Sequence, residues 1–229
     1  MTGPLAGVEA CVFDAYGTLL DVGSAVAREA AAVGPRADEL SALWRRKQLE
    51  YSWLRSLMRR HADFWQLTQD ALDHSLDALG LAAASLRERL LQAYQRLDAY
   101  PDVAGTLAAL RGLGRPTAVL SNGSPGMLEQ SLSAAGLAGL VDPVLSVEAV
   151  GTFKPAPEVY ALATRALGLP AARIAFFSSN GWDAHGAASL GFRAVWVNRT
   201  RQAAERLPGG PALALPDLAA VPSLLGASP

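Results

Sequence analysis

The chain has 229 residues, 51% of them hydrophobic and 18% charged, which excludes a disordered chain and allows one domain, or a domain with an insert, to bury a sizeable core. Twenty basic residues against 21 acidic ones give a formal charge of −1, which argues against nucleic acid or an anionic membrane as the main partner. One cysteine excludes an intrachain disulfide, and together with only three histidines it gives little support for a zinc site.

The N-terminal part of the chain predicts a buried strand. Residues 1–10 contain no basic leader before an apolar stretch, and no apolar run is long enough to span a bilayer, so we expect a soluble, cytoplasmic protein. Residues 8–13 form a short apolar run with β-branched and aromatic members, and the turn-forming sequence from Asp14 to Gly17 ends it. This pattern predicts a strand that runs into a loop.

The following segment, residues 22–97, contains no strand candidate and is predicted to be helical throughout. Apolar residues keep helical spacing along one long amphipathic stretch, namely Leu40, Leu43, Trp44, Tyr51, Leu54 and Met58. Ser85 and Glu88 form a capping box, which predicts the start of a further helix that ends before Pro101. A helical insert directly after the first strand of a parallel sheet predicts a cap over the carboxyl edge, where open α/β sheets bind ligands.

The rest of the chain alternates between strands and helices. Apolar runs predict strands at 117–120, 141–147, 174–177 and 194–197, and helices are predicted at 102–113, 125–135, 157–167 and 182–190. Ser124 and Pro125 suit an N-cap and a first helical position, and residues 208–211 predict a surface loop. The alternation predicts an α/β fold, a Rossmann-like parallel-sheet core (1–21 and 98–229) with an inserted helical cap subdomain (22–97).

Polar clusters follow several of the predicted strands. Each alone is weak evidence, because a turn, a loop or a solvated lysine explains it equally well. Since the carboxyl ends of parallel strands meet at one edge, four such clusters together predict one functional crevice. The clusters are Asp14 to Thr18, Ser121 to Gly123, Phe153 to Pro155 and Ser178 to Asp183.

With these clusters the chain resembles the haloacid dehalogenase superfamily and, within it, the L-2-haloacid dehalogenases. The resemblance covers residues 8–225, nearly the whole chain. Two segments make it more specific than the four superfamily clusters alone. They are LWRRKQLEY at 43–51 in the predicted cap and SSNGWDA at 178–184.

The resemblance implies catalytic roles for residues in each cluster. It places the nucleophile on Asp14, with the hydroxyl of Thr18 supporting it, and the active-site lysine and tyrosine on Lys154 and Tyr160. The polar residues that it associates with hydrolysis of an ester intermediate are Ser178, Asn180 and Asp183.

The resemblance also implies the substrate contacts. Contacts to the carboxylate and the halide fall on Arg45, Ser121 and Asn122. Arg46 departs from the pattern, which has glutamine at that position. Ala15 is a further substrate contact, and the apolar walls around the reacting carbon fall on Tyr16, Leu49, Phe64 and Trp182.

Most of the superfamily are phosphatases, and this sequence lacks two of their acids. Tyr16 stands where phosphatases have a second aspartate, and Ser179 stands where their fourth cluster has an acid. Of the acids that would hold Mg²⁺, Asp14 and Asp183 remain, so phosphoryl transfer is poorly supported.

Displacement of halide at carbon suits the residues that are present. A carboxylate at Asp14 can attack C2 directly, Lys154 can keep it ionised, and Arg45 with the amide of Asn122 can stabilise the leaving halide. The predicted function is therefore hydrolytic dehalogenation of short L-2-haloalkanoic acids to D-2-hydroxy acids through an ester on Asp14, with no metal or organic cofactor.

Two alternatives stay open at this point. One is a superfamily phosphatase or another carbon–heteroatom hydrolase, and the other is a catalytically silent binding relative. The expected partners are a small 2-haloacid and the halide product, with no nucleic acid and no membrane. The resemblance further implies a homodimer that forms through the cap region.

Overall fold

A computed structural model of the protein describes residues 3–226. Its core is a six-stranded parallel sheet, as the alternation of strands and helices predicts. The strands are β1 (Ala10–Phe13), β4 (Thr117–Ser121), β5 (Val144–Ser146), β6 (Ile174–Ser178), β7 (Arg193–Val197) and β8 (Leu213–Leu215), in the order β5-β4-β1-β6-β7-β8. The central strands β1, β4 and β6 are buried at every residue, as expected for a parallel sheet covered on both faces.

Helices alternate with these strands along the chain, as in an α/β core. They are α6 (Val103–Gly112), α7 (Pro125–Ala134), α8 (Pro157–Leu167), α9 (Gly181–Ser189) and α10 (Val221–Gly226). Ser124 and Pro125 occupy the predicted N-cap and first helical position of α7, although the Ser124 side chain makes no capping hydrogen bond. The predicted Rossmann-like α/β core is therefore confirmed.

The segment between β2 (Leu20–Asp21) and β3 (Asp98–Ala99) is helical, as predicted. These two short strands pair antiparallel, so the chain leaves the core and returns to it at one place. Between them lie α1 (Ser24–Arg28), α2 (Ala30–Val33), α3 (Ala37–Met58), α4 (Phe64–Ala78) and α5 (Ala84–Tyr94). Within residues 3–226, no helix has the length and apolar character needed to cross a bilayer.

Three local predictions differ from the structure. The predicted capping box is wrong, because α5 begins at Ala84 and Ser85 is already helical. This end of the helix is exposed, so water can satisfy the first N–H groups of α5. The strand predicted at 141–147 is shorter, because Pro143 has no N–H for the ladder and Ser146 begins a 3₁₀ turn (Val147–Ala149). Strand β8 lies in the C-terminal stretch for which no strand was predicted.

The long predicted helix exists as α3, but its apolar stripe is only partly buried. Leu40 and Trp44 are in the core, whereas Leu54 is 44% and Met58 is 66% exposed. Leu57, beside them, is 80% exposed. The C-terminal end of α3 thus presents an apolar surface to solvent.

Candidate active site

The site lies where the three central strands end. Asp14 follows β1, Ser121 is the last residue of β4, and Ser178 is the last residue of β6. Because β4 and β6 both pair with β1, these carboxyl ends are neighbours at one edge of the sheet. The predicted convergence of the polar clusters is therefore confirmed.

A buried lysine joins two buried carboxylates at this edge. The Nζ atom of Lys154 lies 3.0 Å from Oδ1 of Asp14 and 2.9 Å from Oδ2 of Asp183. The backbone N–H of Lys154 donates to Oδ1 of Asn122 at 3.0 Å, which fixes the lysine relative to the end of β4. We call these three charged residues, Asp14, Lys154 and Asp183, the ion triad.

The electrostatics of the ion triad favour a charged lysine. Burial alone would lower the pKa of Lys154, but the charges of Asp14 and Asp183 outweigh it and raise that pKa above its ordinary value. Burial raises the pKa of Asp183, and the ammonium of Lys154 opposes this shift. The site therefore contains a charged lysine between two acids.

The second oxygen of the Asp14 carboxylate is also held by donors. Oδ2 accepts hydrogen bonds from Oγ1 of Thr18 and from Nδ2 of Asn180, each at 3.0 Å. Together with the ammonium of Lys154 this makes three donors around one carboxyl group. Such an arrangement suits the ionised form, which can only accept hydrogen bonds.

A hydrogen bond from Tyr160 orients Asp183. The Tyr160 hydroxyl donates to Oδ1 of Asp183 at 2.6 Å, and both side chains are fully buried. Burial, together with the charge of Asp183, raises the pKa of Tyr160 well above its ordinary value, so the phenol keeps the proton that it donates. Asp183 thus has one oxygen on Tyr160 and the other on Lys154.

The cap contributes an arginine to the site. Nη2 of Arg45, on α3, donates to the backbone oxygen of Tyr16 and to Oδ1 of Asn180, both at 3.2 Å. Leu49 follows one turn later on the same helix face. The cap helix therefore lies directly over the loop of residues 14–18, which we call the Asp14 loop.

These side chains enclose a small cavity of about 10 Å³, which is room for one water molecule. On one side, the indole of Trp182 packs edge-on against Trp53 of the cap, with 5.3 Å between the ring centres. A larger apolar groove of about 780 Å³ lies beside β5, away from the ion triad. The residues that line the small cavity are Asp14, Tyr16, Arg45, Leu49, Phe64, Ser121, Asn122, Lys154, Asn180 and Trp182.

Five of the predicted site residues do not line this cavity. Thr18, Tyr160 and Asp183 reach it through the hydrogen bonds described above. The hydroxyl of Ser178 accepts the backbone N–H of Asn180 at 3.2 Å, and the backbone oxygen of Ala15 accepts N–H groups of the turn that follows it. These two residues shape the loops, whereas Arg46 is exposed and does not line the cavity.

Two features beside the site were not predicted from the sequence. Ser179 donates its backbone N–H to Oγ1 of Thr18 at 2.8 Å, so the position that lacks a phosphatase acid supports the Asp14 loop instead. The ring of Tyr94 stacks on Tyr16 with 5.8 Å between centres, and Tyr94 also contacts the buried amide of Gln48. Ser179 stands in a recognised cluster, whereas no local pattern distinguishes Tyr94 from a core residue.

The donor set of the site differs from that of a magnesium site. Across the described part of the chain, no group of three or more His, Cys, Asp or Glu side chains is placed to hold a metal ion. The space between Asp14 and Asp183 holds the ammonium of Lys154. The side chain of Tyr16 turns away from the acids, with its hydroxyl 3.4 Å from Oγ of Ser131.

A parallel sheet, a helical cap and a carboxylate–lysine site between them are the features of capped α/β hydrolases, and the comparisons with known proteins agree. A family model described as haloacid dehalogenase-like hydrolase matches residues 8–191. The (S)-2-haloacid dehalogenase 1 of Pseudomonas sp. strain CBS-3 is 50% identical over 86% of this chain and 88% of its own length. The (S)-2-haloacid dehalogenase of Pseudomonas sp. strain YL is 45% identical over 95% and 94%.

A solved structure makes the same point for the fold. The L-2-haloacid dehalogenase of Xanthobacter autotrophicus with chloropropionic acid covalently bound is 39% identical, covers 97% of this chain and 100% of its own, and superposes with a TM-score of 0.90. The chain belongs to the haloacid dehalogenase-like hydrolases and, within them, to the (S)-2-haloacid dehalogenases.

Proposed function

We propose that this protein hydrolyses the carbon–halogen bond of short (S)-2-haloalkanoic acids and releases the (R)-2-hydroxy acid and halide. The observation that carries the proposal is the ion triad. It holds the Asp14 carboxylate beside a charged lysine in a small cavity that Arg45 of the cap and the apolar side chains of Leu49, Phe64 and Trp182 also line. The relatives that this chain matches over most of its length are named for the same reaction.

In the first step, a carboxylate oxygen of Asp14 attacks C2 from the side opposite the halogen. The carbon–halogen bond breaks, the halide leaves with the bonding electron pair, and an ester joins Asp14 to the substrate carbon. Attack from behind inverts C2, which accounts for an (R) product from an (S) substrate. Arg45 and the amide nitrogen of Asn122 stabilise the charge that develops on the halide.

In the second step, water attacks the carboxyl carbon of Asp14. The bond between that carbon and the former carboxylate oxygen breaks, so the hydroxyl oxygen of the product comes from Asp14. Asp183 accepts the proton of the attacking water, and Asn180, held by the hydroxyl of Ser178, orients the ester. The hydroxyl of Ser121, at the end of β4, contacts the substrate carboxylate.

Closure of the cap supplies the dry environment that this displacement needs. The cavity leaves little free room beside Asp14, so we expect the cap to move away from the core when it admits substrate. When it closes again, Arg45 completes the halide site and water is excluded from the ion triad.

Oxygen labelling in a single turnover tests the ester mechanism. With enzyme in excess over (S)-2-chloropropionate in ¹⁸O water, the lactate formed first should be unlabelled, and later turnovers should give labelled lactate as Asp14 itself takes up solvent oxygen. Asp14→Asn should fold normally and release no chloride, because an amide is a poor nucleophile of similar shape. Full label in the first turnover would instead show that water attacks C2 directly with Asp14 as the base.

We also propose that the protein is a homodimer that forms through the cap. Its support is the apolar surface at the end of α3, where Leu54, Leu57 and Met58 are exposed. Leu57→Arg should convert a dimer into a monomer in analytical ultracentrifugation, and a wild-type monomer at micromolar concentration would contradict the proposal. The expected cytoplasmic location stays a prediction.

A further inference from the structure

A buried arginine outside the active site contacts the chain just before and just after the two connections between core and cap. Arg199 follows β7, and its side chain is 10% exposed. The connections are β2 and β3, which pair with each other where the chain leaves and re-enters the core. Because any movement of the cap passes through this place, we call β2 and β3 together the hinge.

On the returning side of the hinge, Arg199 makes a two-pronged ion pair. Its Nη1 and Nη2 atoms lie 2.9 and 3.0 Å from the carboxylate oxygens of Asp102, and its guanidinium stacks 4.0 Å above the ring centre of Tyr100. Asp102 also accepts the backbone N–H of Leu218 at 2.8 Å, which ties the pair to the core. A planar guanidinium is suited to form such a pair and to stack on a ring at the same time.

On the outgoing side, the same guanidinium reaches the Asp14 loop. Nη2 of Arg199 donates to the backbone oxygen of Thr18 at 2.9 Å, and the hydroxyl of Thr18 donates to Asp14 at 3.0 Å. Tyr100 reinforces this link, since its backbone N–H donates to the oxygen of Leu19 at 3.1 Å. One side chain thus connects the returning linker with the residue that holds the nucleophile.

We propose that Arg199 is a positioning residue that couples the hinge of the cap to the orientation of Asp14. When the cap closes and the linkers reach their final places, the guanidinium sets the Thr18 carbonyl, and the Thr18 hydroxyl then aligns the attacking carboxylate. Arg199 contacts neither substrate nor Asp14, so it acts on the reaction only through Thr18. The proposal rests on the proposed function for its kinetic consequence but not for its structural one.

Arg199→Lys is the critical variant. A lysine keeps the positive charge, but its single ammonium cannot contact both Asp102 oxygens, cover the Tyr100 ring and reach Thr18 at once. We expect kcat for (S)-2-chloropropionate to fall about 10- to 100-fold, the range for a misplaced reacting group, while KM stays within about threefold. The single-turnover rate of ester formation should fall by the same factor.

The chain offers a matched control in Arg87. It also makes a two-pronged pair with an aspartate, Asp73, but this pair lies on the cap surface with side chains 37% and 46% exposed. Arg87→Lys should leave kcat and KM unchanged. Two further variants, Tyr100→Leu and Asp102→Asn, each weaken one contact of Arg199 and leave the arginine in place. Each should also lower kcat.

Hydrogen exchange supplies a readout that does not depend on the substrate. The backbone amides of residues 14–21 should exchange faster in Arg199→Lys than in wild type or Arg87→Lys, and this comparison holds even if the wild type releases no halide. A wild-type kcat per folded molecule in Arg199→Lys would overturn the proposal. If Arg199→Lys does not fold, a wild-type kcat in both Tyr100→Leu and Asp102→Asn would overturn it instead. So would unchanged exchange over residues 14–21, or a rise in KM at constant kcat.

Discussion

Methionine removes the charge of Lys154 and keeps an unbranched side chain that is one atom shorter, and this single change tests the ion triad. Lys154→Met leaves the carboxylates of Asp14 and Asp183 facing a thioether, with no cation between them. In the native protein the side chains of Lys154 and Asp183 are 1% and 0% exposed, so solvent cannot replace the lost charge. The variant therefore contains two buried acids without a counter-ion.

The expected loss of stability follows from this geometry. Removing one partner of a buried ion pair destabilises a protein by about 3–5 kcal/mol. Lys154 contacts two acids, at 3.0 and 2.9 Å, but protonation of one acid in the variant limits the loss. We expect the free energy of unfolding to fall by about 3 kcal/mol at about pH 8, the lower end of that range.

The loss should depend on pH in a defined direction. In the variant, burial and repulsion by the Asp14 carboxylate, no longer opposed by Lys154, raise the folded-state pKa of Asp183 further above its ordinary value. A raised folded-state pKa favours the folded state at low pH, and this advantage disappears as pH rises through the folded value. The gap in stability between wild type and variant should therefore narrow from about pH 8 to about pH 5.5.

Urea unfolding followed by tryptophan fluorescence measures the stability, and chloride release measures the chemistry. Turnover should fall at least about 10²–10³-fold, the effect of removing one strong electrostatic contact. Lys47→Met changes the chain's other lysine, whose pair with Glu50 is partly exposed, and should cost less than about 1 kcal/mol with turnover unchanged. Adding Asp183→Asn to Lys154→Met should restore much of the stability but not the turnover.

Either the turnover measurement or the stability measurement can refute this reasoning. Retained turnover in Lys154→Met would show that Asp14 does not need the ammonium. A loss of stability no larger than that of Lys47→Met, or a gap that widens as pH falls, would show that the three groups are not charged as described.

Three further predictions concern the same site. Arg45→Lys should lower kcat/KM about 100-fold, nearly as much as Arg45→Ala, because the ammonium loses the planar fork; near-normal chloride release would reduce Arg45 to a diffuse charge. Prolonged dialysis against EDTA should leave the rate unchanged, because Tyr16 and Ser179 stand in place of acids; loss that added magnesium reverses would contradict this interpretation. The pKa of Lys154 lies above its ordinary value of 10.5, so turnover and the stability from its ion pairs should persist to about pH 10 and decline as pH rises through the folded-state value; a pH–rate profile that falls near neutrality on its alkaline side would disagree.

The sequence by itself determined the architecture and the composition of the site. Apolar runs of four to six residues followed by turn residues specify buried parallel strands, because such strands are apolar on both faces. The position of Asp14 at the end of the first strand then follows from the chain order. The spacing of residues along α3 places Arg45 and Leu49 on one face, and the structure puts that face over the Asp14 loop.

Local sequence patterns were less reliable where solvent or the extent of the core decides the structure. Ser85 has the spacing of a capping box, but solvent serves the first turn of α5 equally well. Leu54 and Met58 continue an apolar stripe along α3, but the core ends before them and leaves them exposed. The sequence pattern is present in both places, but the capping hydrogen bond is missing in the first and the contact with the core in the second.

Only the tertiary structure decided how the charges meet. Lys154 is 140 positions from Asp14 and 29 from Asp183, and the sequence alone left open whether it contacts one acid, both or solvent. The contacts of Arg199 could not be predicted either, since Thr18, Tyr100 and Asp102 lie far from it along the chain. Secondary structure follows from interactions within a few residues, whereas an ion pair depends on which strand ends the fold brings together.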